Sequence, residues 1–154
     1  EKAVGEVDKS VTNFIQQEAQ PNAALNKLVE AAQKRGVAVF AYSALDQDDA
    51  DVLMEKLGLH ERGVSLLIPE EQRETFPRAD DWLKMLKQVD IDTKTVVAVV
   101  SSQLACKGAL TAGAAVISIP DEYTHFQDFS GSAFVLDSLS DQKPDLLLDK
   151  TLRM

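Results

Sequence analysis

Thr95–Pro120 reads TVVAVVSSQLACKGALTAGAAVISIP, and its residue types run strand, loop, helix, strand. Thr95–Val100 is a largely β-branched, apolar run, as expected of a strand covered on both faces in a parallel sheet. Ser101 and Ser102 end it, and their short hydroxyl side chains suit the N-cap of the helix that follows. Ala105, Gly108, Ala109 and Ala112 keep that helix thin enough to lie close on a sheet. Gly113 stands where a helix C-terminus wants a residue with positive φ. Ala115–Ile119 supplies the next strand and Pro120 closes it. In open α/β sheets ligands meet the loop at the carboxyl end of a strand, which makes Ser101 and Ser102 candidate anion-binding residues.

The same grammar extends in both directions. Lys2–Val7 is weakly apolar, a short strand or a terminal arm. Asp8 or Ser10 can cap a helix through Ala19 with Val11, Phe14 and Ile15 on one face. Pro21-Asn22 breaks it, and Asn22 can cap a second helix bearing Leu25, Leu28, Val29 and Ala32, ended by Gly36. Val37–Tyr42 is a buried strand ending at Ser43. Asp46–Asp49 makes an acidic first turn for a helix through Leu57, stopped by Gly58. Val64–Ile68 is another strand, residues 69–78 are irregular, and Asp80 or Asp81 begins a helix through Val89. After Pro120 comes a long polar loop, Asp121–Gly131, carrying Tyr123, Phe126 and Phe129, then a short strand Ala133–Leu136. The tail from Ser138 is polar apart from Leu146–Leu148. Strands alternating with helices predict an α/β fold: a three-layer α/β/α Rossmann-like sandwich with a parallel sheet. The expected divisions are 1–20, an N-terminal helix with or without a strand; 21–141, the core; and 142–154, a tail.

Composition narrows the partners. A length of 154 residues suits one core. The formal charge of -9 argues against nucleic acid and anionic membranes. No apolar run approaches the ~20 residues of a membrane span, so no membrane insertion is expected. The single cysteine, Cys106, excludes an intrachain disulfide and fits a packing role in a reducing compartment, cytoplasmic or organellar stroma or matrix. The chain opens on Glu1 rather than Met, as a fragment or processed product would.

From Pro21 to Asp141 the chain resembles the core of the haloacid dehalogenase (HAD)-like hydrolases, in their phosphoglycolate phosphatase/β-phosphoglucomutase branch. The carrying segments are PNAALNKLVEAAQKRGVAVFAYS, LMEKLGL, FPRADDWLKMLKQVDIDTKTVVAVVSS, QLACKGALTAGAAVISIP and SAFVLDSLSD, in the family's order and spacing. The resemblance implies four functional parts. An aspartate nucleophile in a D-x-D-G-T loop attacks phosphorus. A Ser or Thr after the second strand holds phosphate, a lysine neutralises charge, and acidic residues after the fourth strand hold Mg²⁺.

Ser43 falls on the phosphate-holding position. The lysine position falls on Phe76, with Arg78 two residues on as a possible substitute. The acidic positions fall on Val100 and Ser101, and Ser102 falls on a serine whose role is mainly structural. No D-x-D-G-T occurs. Either the first strand precedes this sequence, residues 8–19 then being the last helix of a cap domain, or Lys2–Val7 is a degenerate version of it. In the family order that strand lies between those ending at Ser43 and Ser101, so its loss would leave backbone groups to be paired by Lys2–Val7, by each other or by a partner.

The remaining polar groups have plainer readings. His60 and His125 lack companions at metal-ligand spacing. Asp46, Asp48, Asp49 and Asp51 are a solvated helix start, Glu70–Glu74 a solvated loop, and Trp82 a packing residue. No dinucleotide-binding glycine pattern or nucleophile elbow is present. The expectation is therefore a HAD-like domain without catalytic residues or metal ligands of its own, needing no cofactor, with a binding, regulatory or scaffolding role. Ser43, Ser101 and Ser102 are its anion-binding candidates, and a protein partner or the rest of a longer parent chain is its companion. The alternatives are a HAD-type phosphatase or phosphomutase, Mg²⁺-dependent, whose nucleophile loop lies outside this sequence, and a small-anion-binding α/β domain.

Overall fold

The computed structural model describes residues 17, 19–69 and 77–152. Lys2–Val7, Asp8, Ser10, the face Val11, Phe14 and Ile15, the run Glu70–Glu74 and Phe76 lie outside the described residues. The chain divides into two compact units, Glu1–Ile68 and Pro69–Met154.

In the first unit, α1 (Ala23–Lys34) begins at Asn22, whose side chain accepts from Ala24 N and Leu25 N at 3.0 Å each. It buries Leu28, Val29, Ala31 and Ala32. Strand β1 (Phe40–Tyr42) runs parallel to β2 (Ser65–Leu67), with Phe40 opposite Ser65 and Tyr42 opposite Leu67. Helix α2 (Gln47–Lys56) joins them, capped by Asp46 Oδ1, which accepts from Asp49 N at 2.9 Å. Val29 of α1, Met54 of α2 and Val64 form this unit's buried centre, with Val39, Ala41 and Leu66 packed against them. Both helices thus cover the face of the strand pair that Ala41 and Leu66 share.

In the second unit, α3 (Ala79–Gln88) leads through a 3-10 turn, Thr93–Thr95, into β3 (Val97–Val100). Helix α4 (Gln103–Ala112), β4 (Ala115–Ser118), β5 (Phe134–Val135) and α5 (Pro144–Thr151) follow. The sheet order is β3-β4-β5 and both pairings are parallel. Ser102 caps α4, its Oγ accepting from Ala105 N at 3.3 Å. Gly113, at φ 96°, ends α4, with Ala114 N donating to Ala109 O and Gly113 N to Leu110 O, both at 3.0 Å.

The fold is the expected α/β one, and every described strand pairing is parallel. Several boundaries differ, each for a local reason. Thr95 belongs to the 3-10 turn, because Asp92 Oδ1 accepts from Lys94 N and Thr95 Oγ1 donates to Asp92 O. Helix α3 starts earlier than Asp80: Asp81 is not its cap but reaches back from the third position to accept from Arg78 N at 2.8 Å. The tail is not merely polar, since Pro144 opens a helix that buries Leu147, Leu148 and Thr151. The described strands fall into one two-stranded and one three-stranded sheet, and Lys2–Val7, one of the three expected ways of pairing the neighbours of a missing first strand, lies outside the described residues.

Candidate functional site

The carboxyl end of β3 is where the resemblance asks for metal-binding carboxylates. Val100, the last strand residue, is 8% exposed and packs as a core side chain. Ser101 follows it on the surface, and Ser102 is drawn into capping α4. Helix α4 is positioned by Gly108: a Cβ there would come within 2.6 Å of Pro77 O and 3.2 Å of Trp82 Cδ1, so only glycine allows α3 and α4 to approach this closely. Trp82 is buried at that contact, as expected.

The first turn of α4 is largely spoken for. Gln103 N donates to Gln127 Oε1 at 2.8 Å, and Ala105 N donates to Ser102 Oγ. In return Asp128 N donates to Gln103 Oε1 at 3.4 Å. One turn on, Lys107 Nζ donates to Ser130 O at 2.9 Å and pairs with Asp128 Oδ2 at 3.0 Å. The loop Asp121–Gly131 is therefore strapped along α4. The backbone N–H of Ser130, then its hydroxyl and the Lys107 ammonium, hold the Asp128 carboxyl at about 2. Two of the donors that an anion at this helix end would use are engaged by the chain itself. Sequence reading missed this strap, because Gln127 lies 24 residues from Gln103 and glutamine in a loop carries no pattern.

Ser43 lies in the other unit, at the end of β1. Its N–H extends the strand pairing to Leu67 O at 3.2 Å, and its Oγ accepts from Leu45 N at 3.1 Å. Ser101 and Ser102 are chain neighbours at one strand–helix junction, whereas Ser43 serves the corresponding junction after β1. Arg78, the candidate substitute for the family lysine, stands at the N-cap of α3. Asp46 is a helix cap, and Asp51 accepts from Gln47 Nε2 at 2.8 Å and lies 3.7 Å from His60 Nε2. Those groups act as a helix start and its neighbours.

Mg²⁺ prefers carboxylates and water in near-octahedral array. A buried valine and a surface hydroxyl at the end of β3 do not fit it. No group of three or more His, Cys, Asp or Glu side chains among the described residues could hold a metal ion. Cys106 is fully buried, its Sγ 3.3 Å from Ser132 Oγ, which is 2.7 Å from Ser118 Oγ, a packed polar chain rather than a reactive thiol.

A cleft of about 640 Å³ opens beyond the ends of β4 and β5. Pro120, Phe129 and Val135 give it apolar walls, and Asp121, Glu122 and Asp137 line it with carboxylates. The Tyr123 N–H, then the Thr124 hydroxyl, hold the Asp121 carboxyl below its usual range. No described helix is long and apolar enough to cross a membrane.

No protein-family model matches the chain, and no curated protein does. Solved structures do. A HAD hydrolase of family IA, variant 3, from Entamoeba histolytica superposes with a TM-score of 0.75 at 19% identity, covering 97% of this chain and 70% of that one. CbbY from Rhodobacter sphaeroides, solved in complex with phosphate, gives 0.73 at 19%, covering 84% of this chain and 60% of its own. The β-phosphoglucomutase of Clostridium difficile gives 0.72 at 12%, covering 92% and 62%. This chain thus spans about three fifths of the length of the last two. The order of parallel strands and helices, and its agreement with these structures, show that the chain carries the fold of the haloacid dehalogenase-like hydrolases.

Proposed function

We propose that this chain is a HAD-like domain that transfers no phosphoryl group by itself and serves a binding, regulatory or scaffolding role toward a protein partner or the rest of its parent chain. One observation carries the reading: the end of β3 presents buried Val100 and surface Ser101 where the fold's chemistry needs carboxylates. Phosphoryl transfer from an aspartate to an anionic substrate needs a cation to offset the repulsion, and each oriented charge lost costs ~10²–10³ in rate. Ser43 retains the position that would hold a phosphate group, and Ser101 and Ser102 are the other anion candidates. Binding at the latter two has less support, because Ser102 and Gln127 already engage the α4 amides.

The test is a Mg²⁺-dependent assay of the whole chain on p-nitrophenyl phosphate and a panel of sugar phosphates. The expected result is no turnover above buffer, unchanged by Ser101→Asp together with Phe76→Lys. Turnover abolished by Asp8→Asn would overturn the reading and make Asp8 the nucleophile. The second reading, a Mg²⁺-dependent phosphatase completed by sequence outside this chain, draws on its covering only 60% of CbbY. A D-x-D-G-T segment ahead of Glu1 in the parent protein, with turnover restored when it is included, would favour it.

A further inference from the structure

The cleft at the ends of β4 and β5 includes Gln127 and Ser130 of the strap along α4, while Pro120, Asp121, Glu122, Val135 and Asp137 in its lining make none of the strap's contacts. Tyr123 and Phe126 sit on the turn that forms one of its walls, and they are 75% and 76% exposed, the highest values among the described large hydrophobics. Val135, on its other side, is 56% exposed. Single exposed apolar residues are ordinary, but two aromatics three residues apart beside an open apolar-walled cleft form a surface that gains by being covered.

The turn is also held in place. Asp121 Oδ1 accepts from Tyr123 N at 2.8 Å and Thr124 Oγ1 at 3.0 Å. His125 meets Phe126 edge-on, with ring centroids 5.8 Å apart, and its Nδ1 is 2.9 Å from Glu122 O. Buried Phe129 anchors the far end. The aromatics are therefore presented on an ordered turn, which lowers the entropic cost of docking. The charge is one-sided: Asp121, Glu122 and Asp137 line the cleft against one base, His125, on a chain of net charge -9.

From this combination we infer that the cleft docks a basic segment of a partner protein, its apolar side chains covering Tyr123, Phe126 and Val135 and its Arg or Lys heads meeting the three carboxylates. The inference rests on the binding role proposed above and names the chemistry of the partner. Guanidinium groups suit both halves of the surface, since they pair with carboxylates and stack on aromatic faces.

The probe is a short peptide alternating Arg with Leu, titrated into the isotopically labelled whole chain and compared with one alternating Glu with Leu. The basic peptide should bind at least ~10-fold more tightly, and less so as salt is raised. Its amide shifts should centre on residues 120–137. Phe126→Ser and Glu122→Gln, both at exposed positions, should each weaken binding about fivefold or more while the remaining spectrum is unchanged. Equal affinity for the two peptides, shifts centred on Asp46–Asp51, or indifference to Phe126→Ser would overturn the inference. Concentration-dependent shifts at the same residues without peptide would overturn it too, naming a second copy as the occupant. The same samples are assayed on p-nitrophenyl phosphate: turnover with peptide binding intact defeats only the non-catalytic reading, and absent binding without turnover defeats only this one.

Discussion

Gly108→Ala should destabilise the chain even though alanine is the better helix former. In α4 the exchange would by itself contribute about 0.5–1 kcal/mol in favour of the variant. Opposing this, the added Cβ would lie 2.6 Å from Pro77 O, 3.1 Å from Arg78 C and 3.2 Å from Trp82 Cδ1. Carbon atoms rest at about 3.5–4.0 Å, and two of these neighbours are backbone atoms that cannot rotate away. The N-terminus of α3 must therefore shift from α4, and overpacking of this kind costs ~1–3 kcal/mol. The net loss expected is about 1–2 kcal/mol, or roughly 2–8 °C in melting temperature for a chain of this size. Urea and thermal unfolding followed by Trp82, the chain's one tryptophan, read the contact itself. A Gly108→Ala variant with a raised midpoint would refute the close approach.

Two further outcomes follow from local geometry. Asp90 holds φ 55° at the end of α3, where Asp90 N donates to Lys87 O and Ile91 N to Leu86 O, the bonding that Gly113 makes after α4. Asp90→Gly should therefore raise stability by about 0.5–1 kcal/mol and Asp90→Val lower it by ~1–2 kcal/mol, read from urea midpoints. Asp128, held at about 2 against an ordinary 3.8, stabilises the folded chain above the ordinary carboxylate range, a contribution lost as pH falls toward 2. Asp128→Asn should lower the melting temperature at neutral pH but not at the acid end of that window, and an NMR titration of its carboxyl with an ordinary midpoint would contradict the strap.

The elements legible in sequence were those whose cause is local. Asn22 and Ser102 each bond to an amide two or three residues on, and Gly113 ends α4 by its own φ, so type and spacing sufficed; Asp46, read as part of an acidic first turn, caps α2 instead. The parallel strands were legible because β-branched runs alternate with amphipathic helices. Asp81 misled because a carboxylate in the first turn of a helix suits both the cap and the third position, and only the path of Arg78 separates them. The tail helix was hidden because its stripe, Leu147, Leu148 and Thr151, is too short to show a period without the core it packs on. At the site, Val100 and Ser101 were placed only by the family resemblance, and the structure adds that the first is buried and the second exposed. The Gln103–Gln127 and Lys107–Asp128 contacts could not be read, since both join positions more than twenty residues apart.

Val100 and Ser101, at the end of β3, are physically unequal, and this bears on whether a cation site could be built there. Ser101 is exposed and immediately precedes the cap of α4, so a carboxylate there keeps its water and gains about 0.3–1 kcal/mol from the helix N-terminus. Val100 is 8% exposed within a parallel sheet, with Ile119 N donating to its carbonyl at 2.8 Å. Aspartate at that position would lose the packing of two methyl groups and either bury a charge or take up a proton, at a cost of several kcal/mol. Ser101→Asp should therefore melt at or above the parent temperature, while Val100→Asp should be lowered by at least ~3 kcal/mol and recover partly as pH falls and the carboxyl protonates. A carboxylate that must be neutral to be tolerated is a poor ligand for Mg²⁺. A Val100→Asp chain as stable as its parent, with Mg²⁺ raising its melting temperature, would show that the end of β3 holds a prepared cation site.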